Sequence, residues 1–178
     1  VKSIEEMQDM VERTLAFARG MAISEPPETI ELGQFLTELK RDMLNAFRLE
    51  TDTPFEIKLR PQSMRRALRN VIENAVRYGD DVEVTYSRES DKALIWVRDH
   101  GPGIPDTQLE EVFEPFYRVE ASRSRETGGT GLGLSIARTI LRSHGGDITL
   151  QNHPDGGLLV RLDLPFSQSS NYKERTRS

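Results

Sequence analysis

One helix with two chemically opposed faces constrains this chain more than any other stretch. Met64, Leu68, Val71, Ile72 and Ala75 recur at the spacing of a core-facing stripe over the segment that ends at Gly79. Asn70, Glu73, Asn74, Arg77 and Tyr78 fall on the opposite side. Asparagine is a mediocre helix former, because its amide competes for backbone hydrogen bonds. Two asparagines four residues apart nevertheless point the same way here, with a carboxylate between them and a cation one turn on. Such a face can hold a metal ion and a phosphate. On this helix alone, an ordinary solvated face is the competing reading.

The rest of the chain supplies strands and further helices for that stripe to pack against. Residues 3–19 read as an amphipathic helix with Ser3 and Glu6 as a capping box. Its apolar seam, Ile4, Met7, Val11, Leu15 and Ala18, suits a helical bundle, with docking on the main domain as the alternative. Gly20 reads as its stop, and residues 21–28, with Pro26-Pro27, as a linker. A strand over 29–32, a helix over 33–49 and a strand over 55–59 precede the central helix. Strands are expected at 82–87 and 93–99, a short helix at 107–112, a helix over 132–144, and strands at 147–152 and 158–164. Residues 117–130 lack apolar periodicity and carry Arg118, Arg123 and Arg125, which predicts a mobile loop; the polar tail 167–178 reads as disordered. This divides the chain into a helix over 1–20, a linker over 21–28, a main domain over 29–166 and a tail.

Composition narrows the function. With 178 residues and a net charge of −5, the chain has room for one real core and offers no basic run, which argues against nucleic acid. It has no cysteine, hence no disulfide or thiolate metal site. No apolar run is long enough to span a membrane, and no apolar leader stands at the start, so the chain reads as a piece of something longer without membrane contact of its own.

Two glycine-bearing loops carry the remaining chemistry. Asp99-His-Gly101-Pro-Gly103, with Ile104 next, follows a strand directly; a carboxylate there can accept from a purine amino group. By itself Asp-x-Gly is also a common turn. Gly129-Thr130-Gly131-Leu132-Gly133 opens a helix, where backbone N–H groups make an anion site. It is neither a Walker loop, for want of Gly-Lys-Ser/Thr, nor a dinucleotide fingerprint, for want of a preceding strand.

In order along the chain, these motifs resemble the ATP-binding domain of sensor histidine kinases, within the superfamily of gyrase, Hsp90 and MutL ATPases. Asn70-x-x-x-Asn74 matches the N box, Asp99-x-Gly101-x-Gly103 the first glycine box, Phe113-Glu-Pro-Phe116 the F box, and Gly129 to Gly133 the second glycine box. The match covers about residues 29–166, and the F box favours the kinases. The resemblance implies an α+β fold: a two-layer sandwich of Bergerat type, with a mixed, mainly antiparallel sheet covered on one face by three helices. It implies ATP and Mg²⁺ as ligands. Asn70 would hold the metal, Asn74 and Arg77 the phosphates, Tyr78 the adenine or ribose, and Asp99, with Gly101, Gly103 and Ile104, the adenine. Arg118 would belong to a lid, and Gly129, Thr130, Gly131, Leu132 and Gly133 would surround the β- and γ-phosphates. Glu73 is the catalytic candidate, either as general base or as a group orienting metal-bound water.

Residues 3–19 resemble the second helix of the kinase dimerisation hairpin. The family's phosphoacceptor histidine lies on the first helix, before Glu or Asp, and His100, His144 and His153 all lack that context. The implied reaction is transfer of the γ-phosphoryl of ATP to a histidine outside this chain, then relay to a response-regulator receiver domain. The implied setting is a homodimeric full-length protein, the cytoplasmic portion of an inner-membrane sensor. A water-activating ATPase using Glu73 and a non-catalytic nucleotide-binding module are the alternatives.

Overall fold

The computed structural model describes residues 2–119 and 131–166. The chain runs through α1 (Lys2–Ser24), β1 (Glu28–Glu31), α2 (Leu32–Asp42), β2 (Arg48–Leu49), β3 (Glu56–Leu59) and α3 (Pro61–Tyr78). It continues through β4 (Glu83–Arg88), β5 (Lys92–Arg98), α4 (Gly133–Ser143), β6 (Asp147–Asn152) and β7 (Leu158–Pro165). Five strands form one sheet in the order β2-β4-β5-β7-β6, with β2 parallel to β4 and the other pairs antiparallel; β1 and β3 form a separate antiparallel pair. This is the mixed, mainly antiparallel sheet that was expected.

The strands alternate as half-buried strands should. Val84, Tyr86, Ile95, Val97, Val160, Leu162 and Leu164 face a core completed by Leu32, Phe35, Leu36 and Leu39 of α2, the α3 stripe, and Ile136, Ala137, Ile140 and Leu141 of α4. The other face carries half-buried Thr85, Trp96, Arg98, Arg161 and Asp163, so helices cover one side only. The α3 stripe is as the periodicity predicts: Met64, Leu68 and Ile72 are fully buried, Val71 and Ala75 nearly so.

Three elements differ from the sequence expectation. Helix α1 does not stop at Gly20 but runs to Ser24, with the Glu25 N–H still donating to the Met21 carbonyl. Ala18 and Ala22 lie buried in the common core, which holds the last turns helical through the glycine and shortens the 21–28 linker to 25–27. The expected seam therefore divides: its C-terminal end docks on the domain, while Ile4 and Met7 stay exposed. Helix α2 ends at Asp42 because Leu44 and Asn45 turn left-handed, at φ 54° and 57°, and deliver Arg48–Leu49 to the edge beside β4. The helix expected at 107–112 resolves into two single 3-10 turns, Asp106–Gln108 and Glu111–Phe113. So short a segment, interrupted by other geometry, cannot offset the cost of an α-helical nucleus.

The segment after α1 caps α3. Arg60, at the N-cap, provides no side-chain capping hydrogen bond to the helix. Instead Glu25 Oε2 accepts from the Gln62 N–H at 2.7 Å, and Oε1 accepts from the Ser63 N–H and hydroxyl at 2.8 Å each. The Arg60 Nε–H donates to the Glu25 carbonyl, and the Arg60 N–H donates to His144 Nε2 at 3.1 Å. His144 Nδ1–H donates to the Ile140 carbonyl, so both ring nitrogens are engaged in one tautomer, and burial pushes its pKa below the ordinary 6.5. A carboxylate at a helix N-terminus satisfies free N–H groups and meets the positive end of the helix dipole. Glu25→Ala is expected to cost about 1–2 kcal/mol, and Glu25→Gln less. Chemical denaturation reads this; an unchanged midpoint for the alanine variant would contradict the cap.

Candidate functional site

Three segments converge on Asp99. It follows β5 and is buried. Its Oδ1 accepts from the Gly101 N–H at 2.9 Å and the Leu158 N–H at 3.2 Å, while its own N–H donates to the Leu158 carbonyl. Its Oδ2 makes no hydrogen bond among the described residues. The carboxylate is thus held through one oxygen, and the other is able to accept a further hydrogen bond.

The approach of these segments is too close for side chains. A Cβ on Gly79 would sit 2.5 Å from the Asp99 Cβ, and one on Gly101 would sit 2.5 Å from the Tyr78 carbonyl oxygen. The C-terminus of α3 is thereby pressed against the loop after β5. His100 strengthens that junction: its N–H donates to the Asp80 carbonyl and its Nδ1–H to the Asp81 carbonyl. On the far side, Gly103 adopts φ +70° and lies against the Asn152 side chain, which also binds Ile104.

The second glycine motif reaches the same region from α4. Leu132 is the N-cap of α4 and gives no side-chain cap. Where Glu25 fills the N-terminus of α3, no side chain among the described residues fills that of α4. Gly133 lies against Asn70: a Cβ there would be 3.8 Å from the Asn70 Cβ. Asn70 therefore stands beside the start of α4. Gly131 ties the motif to the Phe113–Phe116 segment, its carbonyl accepting from the Phe116 N–H at 2.9 Å. Phe113 is buried under the Arg138 guanidinium, 4.2 Å from its ring centre, and Arg138 also binds Glu110 and Asp147.

Half-buried Asn70, Asn74 and Tyr78 share the predicted face with exposed Glu73 and Arg77. None of these five side chains has a hydrogen-bond partner among the described residues. Amide and carboxylate oxygens of this kind suit Mg²⁺, which takes few ligands from protein when phosphates supply the rest. Among the described residues, no cluster of three or more His, Asp or Glu side chains could hold a metal unaided. Arg118 is half-buried at the end of the first described stretch. Gly129, Thr130, Arg123, Arg125 and most of the expected lid, 117–130, lie outside the described residues.

Sequence reasoning missed Gly79, Asn152, Gly157 and Leu158 as parts of this site. The His153–Gly157 turn was legible only as a turn, although it packs its Gly157 against the Asp99 backbone.

Comparisons with known proteins bear on the family and the fold. The family model described as histidine kinase-, DNA gyrase B-, and HSP90-like ATPase matches residues 60–168. The sensor histidine kinase GtrS of Pseudomonas aeruginosa is 33% identical over 168 residues, covering 92% of this chain and 34% of that protein. The sensor histidine kinase CpxA of Escherichia coli K12 is 38% identical over 118 residues, covering 66% of this chain and 26% of that protein. The chain thus spans about a third or less of the length of these relatives. Among solved structures, the mycobacterial sensor histidine kinase MprB superposes with a TM-score of 0.65 at 27% identity, covering 78% of this chain and 97% of that one.

Proposed function

The chain belongs to the histidine kinase-, DNA gyrase B-, and HSP90-like ATPase family, and on that premise we propose that it binds Mg·ATP and transfers the γ-phosphoryl group to a histidine on a partner helix. The observation that carries this reading is Asp99, buried, fixed through Oδ1 and with Oδ2 unpartnered among the described residues, at the meeting point of α3, the loop after β5 and the β6–β7 turn. Oδ2 accepts the adenine amino group, and the backbone of Gly101, Gly103 and Ile104 lies along the base. Tyr78 contacts the adenine or ribose. Asn74, Arg77 and Arg118 meet the phosphates, and the amides of Gly129, Thr130, Gly131, Leu132 and Gly133 surround the β- and γ-phosphates at the start of α4.

Asn70 would hold the metal, whose chemistry when bound is to neutralise charge on the phosphoryl oxygens. Glu73, exposed on the same face, is the candidate catalytic carboxylate and would act there by orienting water or as a general base. Catalysis then rests on positioning and charge stabilisation. The acceptor belongs to the first helix of a dimerisation hairpin, of which α1 is the second, and the phosphohistidine passes its group to an aspartate of a response-regulator receiver domain. The full-length protein is a homodimer and a membrane-anchored sensor, with this part on the cytoplasmic side. No helix among the described residues is long and apolar enough to cross a membrane.

The histidines of the chain support an acceptor elsewhere. His144 has both ring nitrogens engaged, His100 donates through Nδ1, and His153 accepts the Asp155 N–H at Nδ1. The chain alone is therefore expected to bind Mg·ATP and to acquire no label from γ-labelled ATP. A helical hairpin carrying a histidine before an acidic residue, added as a separate chain, should acquire label that is stable in base and lost in acid. It should do so slowly, because a tethered encounter has become bimolecular. Strong labelling of this chain at His100, His144 or His153 would overturn the assignment, and steady phosphate release without any labelled acceptor would favour an ATPase.

A further inference from the structure

The loop after β5 cannot hold itself in place. It is rich in glycine and proline, and its backbone has few partners within the segment. What fixes its far end comes from residue 152, at the end of β6. The Asn152 Oδ1 accepts from the Ile104 N–H at 3.0 Å, and Nδ2 donates to the Ile104 carbonyl at 2.6 Å and to Asp106 Oδ1 at 2.8 Å. The two Ile104 groups fix the amide's orientation, since one can only donate and the other only accept. Neither a carboxylate nor an apolar isostere can serve both.

The same residue is connected to Asp99 by a second route. Asn152 pairs with Leu158 across β6 and β7, and Leu158 exchanges hydrogen bonds with Asp99 through its N–H and its carbonyl. Gly103 completes the clamp: a Cβ at that position would lie 2.5 Å from Asn152 Oδ1, so only glycine allows the loop to settle on the amide.

We propose that Asn152 is a positioning residue for nucleotide recognition: its amide clamps the Gly103–Ile104 backbone and so sets the floor on which the base meets Asp99. The inference rests on the adenine-site reading given above. It predicts that the loop is formed before nucleotide arrives and that base selectivity, not only stability, depends on residue 152.

The test uses the whole chain with Mg·ADP and Mg·GDP as probes, read by calorimetry. Asn152→Asp removes the donor to Ile104 and places a negative charge against Asp106. It is expected to weaken ADP binding about tenfold, the scale set by losing one buried hydrogen bond and leaving its partner unpaired. It is also expected to narrow the ratio of GDP to ADP dissociation constants. Adding Asp106→Asn, which offers a donor to the new carboxylate, should recover part of both. A lower unfolding midpoint with unchanged ADP affinity and unchanged selectivity would overturn the proposal. Independently of any variant, amide hydrogen exchange on the unmodified protein should show the Ile104 N–H protected without nucleotide. Exchange at the rate of an open loop would overturn it as well. Asp99→Asn, measured in parallel, separates the two levels. If it weakens ADP binding while Asn152→Asp does not, this inference alone falls. If it leaves binding intact, the adenine-site reading falls and takes the clamp with it.

Discussion

Asp99→Asn is expected to lower affinity for ATP and ADP by roughly ten- to a hundred-fold, the scale of a lost charge-assisted hydrogen bond. The orientation of the new amide is dictated by the protein. Two N–H groups, from Gly101 and Leu158, already donate to Oδ1, so the amide oxygen must take that place. The NH₂ is then forced into the position of Oδ2, where it faces the adenine amino group, donor against donor. The same geometry predicts a relative gain for guanine nucleotides, whose carbonyl oxygen can accept. Calorimetry on the folded variant tests both. Unchanged adenine binding would remove Asp99 from base recognition.

Gly157→Ala is expected to be severely damaging. Gly157 has φ +86°, and a Cβ would lie 1.9 Å from the Asp99 carbonyl oxygen and 3.0 Å from the His100 Cα. Those are backbone atoms of the loop that carries Asp99, so relief requires moving the site itself. A loss above about 3 kcal/mol of stability is expected, in the range that marks a named steric or backbone mechanism. Nucleotide binding should go with it. The neighbouring Gly156 is an internal control. It has φ +90° but open space around its Cβ position, so Gly156→Ala should carry only the strain of a left-handed backbone, about 1–2 kcal/mol. Chemical denaturation of the two variants isolates the contact from the conformation. Equal losses would show that the close approach to Asp99 is not what requires glycine at 157.

What could be read from the sequence was whatever has a short period or a contiguous motif. The α3 stripe from Met64 to Ala75 and its polar face follow from helical spacing alone, and β6 was placed at its observed limits, Asp147–Asn152. Where a tertiary contact decides a local outcome, the pattern was silent. Gly20 is a weak helix residue in isolation, and only the burial of Ala18 and Ala22 on the domain explains why α1 continues past it. Asn45 in a left-handed turn was indistinguishable from a helical residue until β2 was seen to need a sharp return. The site divides in the same way. Asn70, Asn74 and Asp99 were legible because their motifs are local. The Asn152–Ile104 and Asp99–Leu158 bonds span 48 and 59 residues, and neither member of either pair marks the other.

The hydrogen bonds that Glu25 makes to α3 bear on where this protein can be cut. The family match begins at Arg60, and sequence reasoning set the start of the main domain at residue 29. A fragment beginning at either point loses the carboxylate that closes α3 and bares the core footprint of Ala18 and Ala22. One beginning at residue 60 also leaves out the whole β1–β3 pair together with α2 and β2. The packed unit therefore reaches back into the last turns of α1. The cytologist's or engineer's natural seam, the proline pair at 26–27, lies inside that unit and not at its edge, so anything fused upstream of residue 18 inherits a continuous helical lever rooted in the same core that supports the asparagine face.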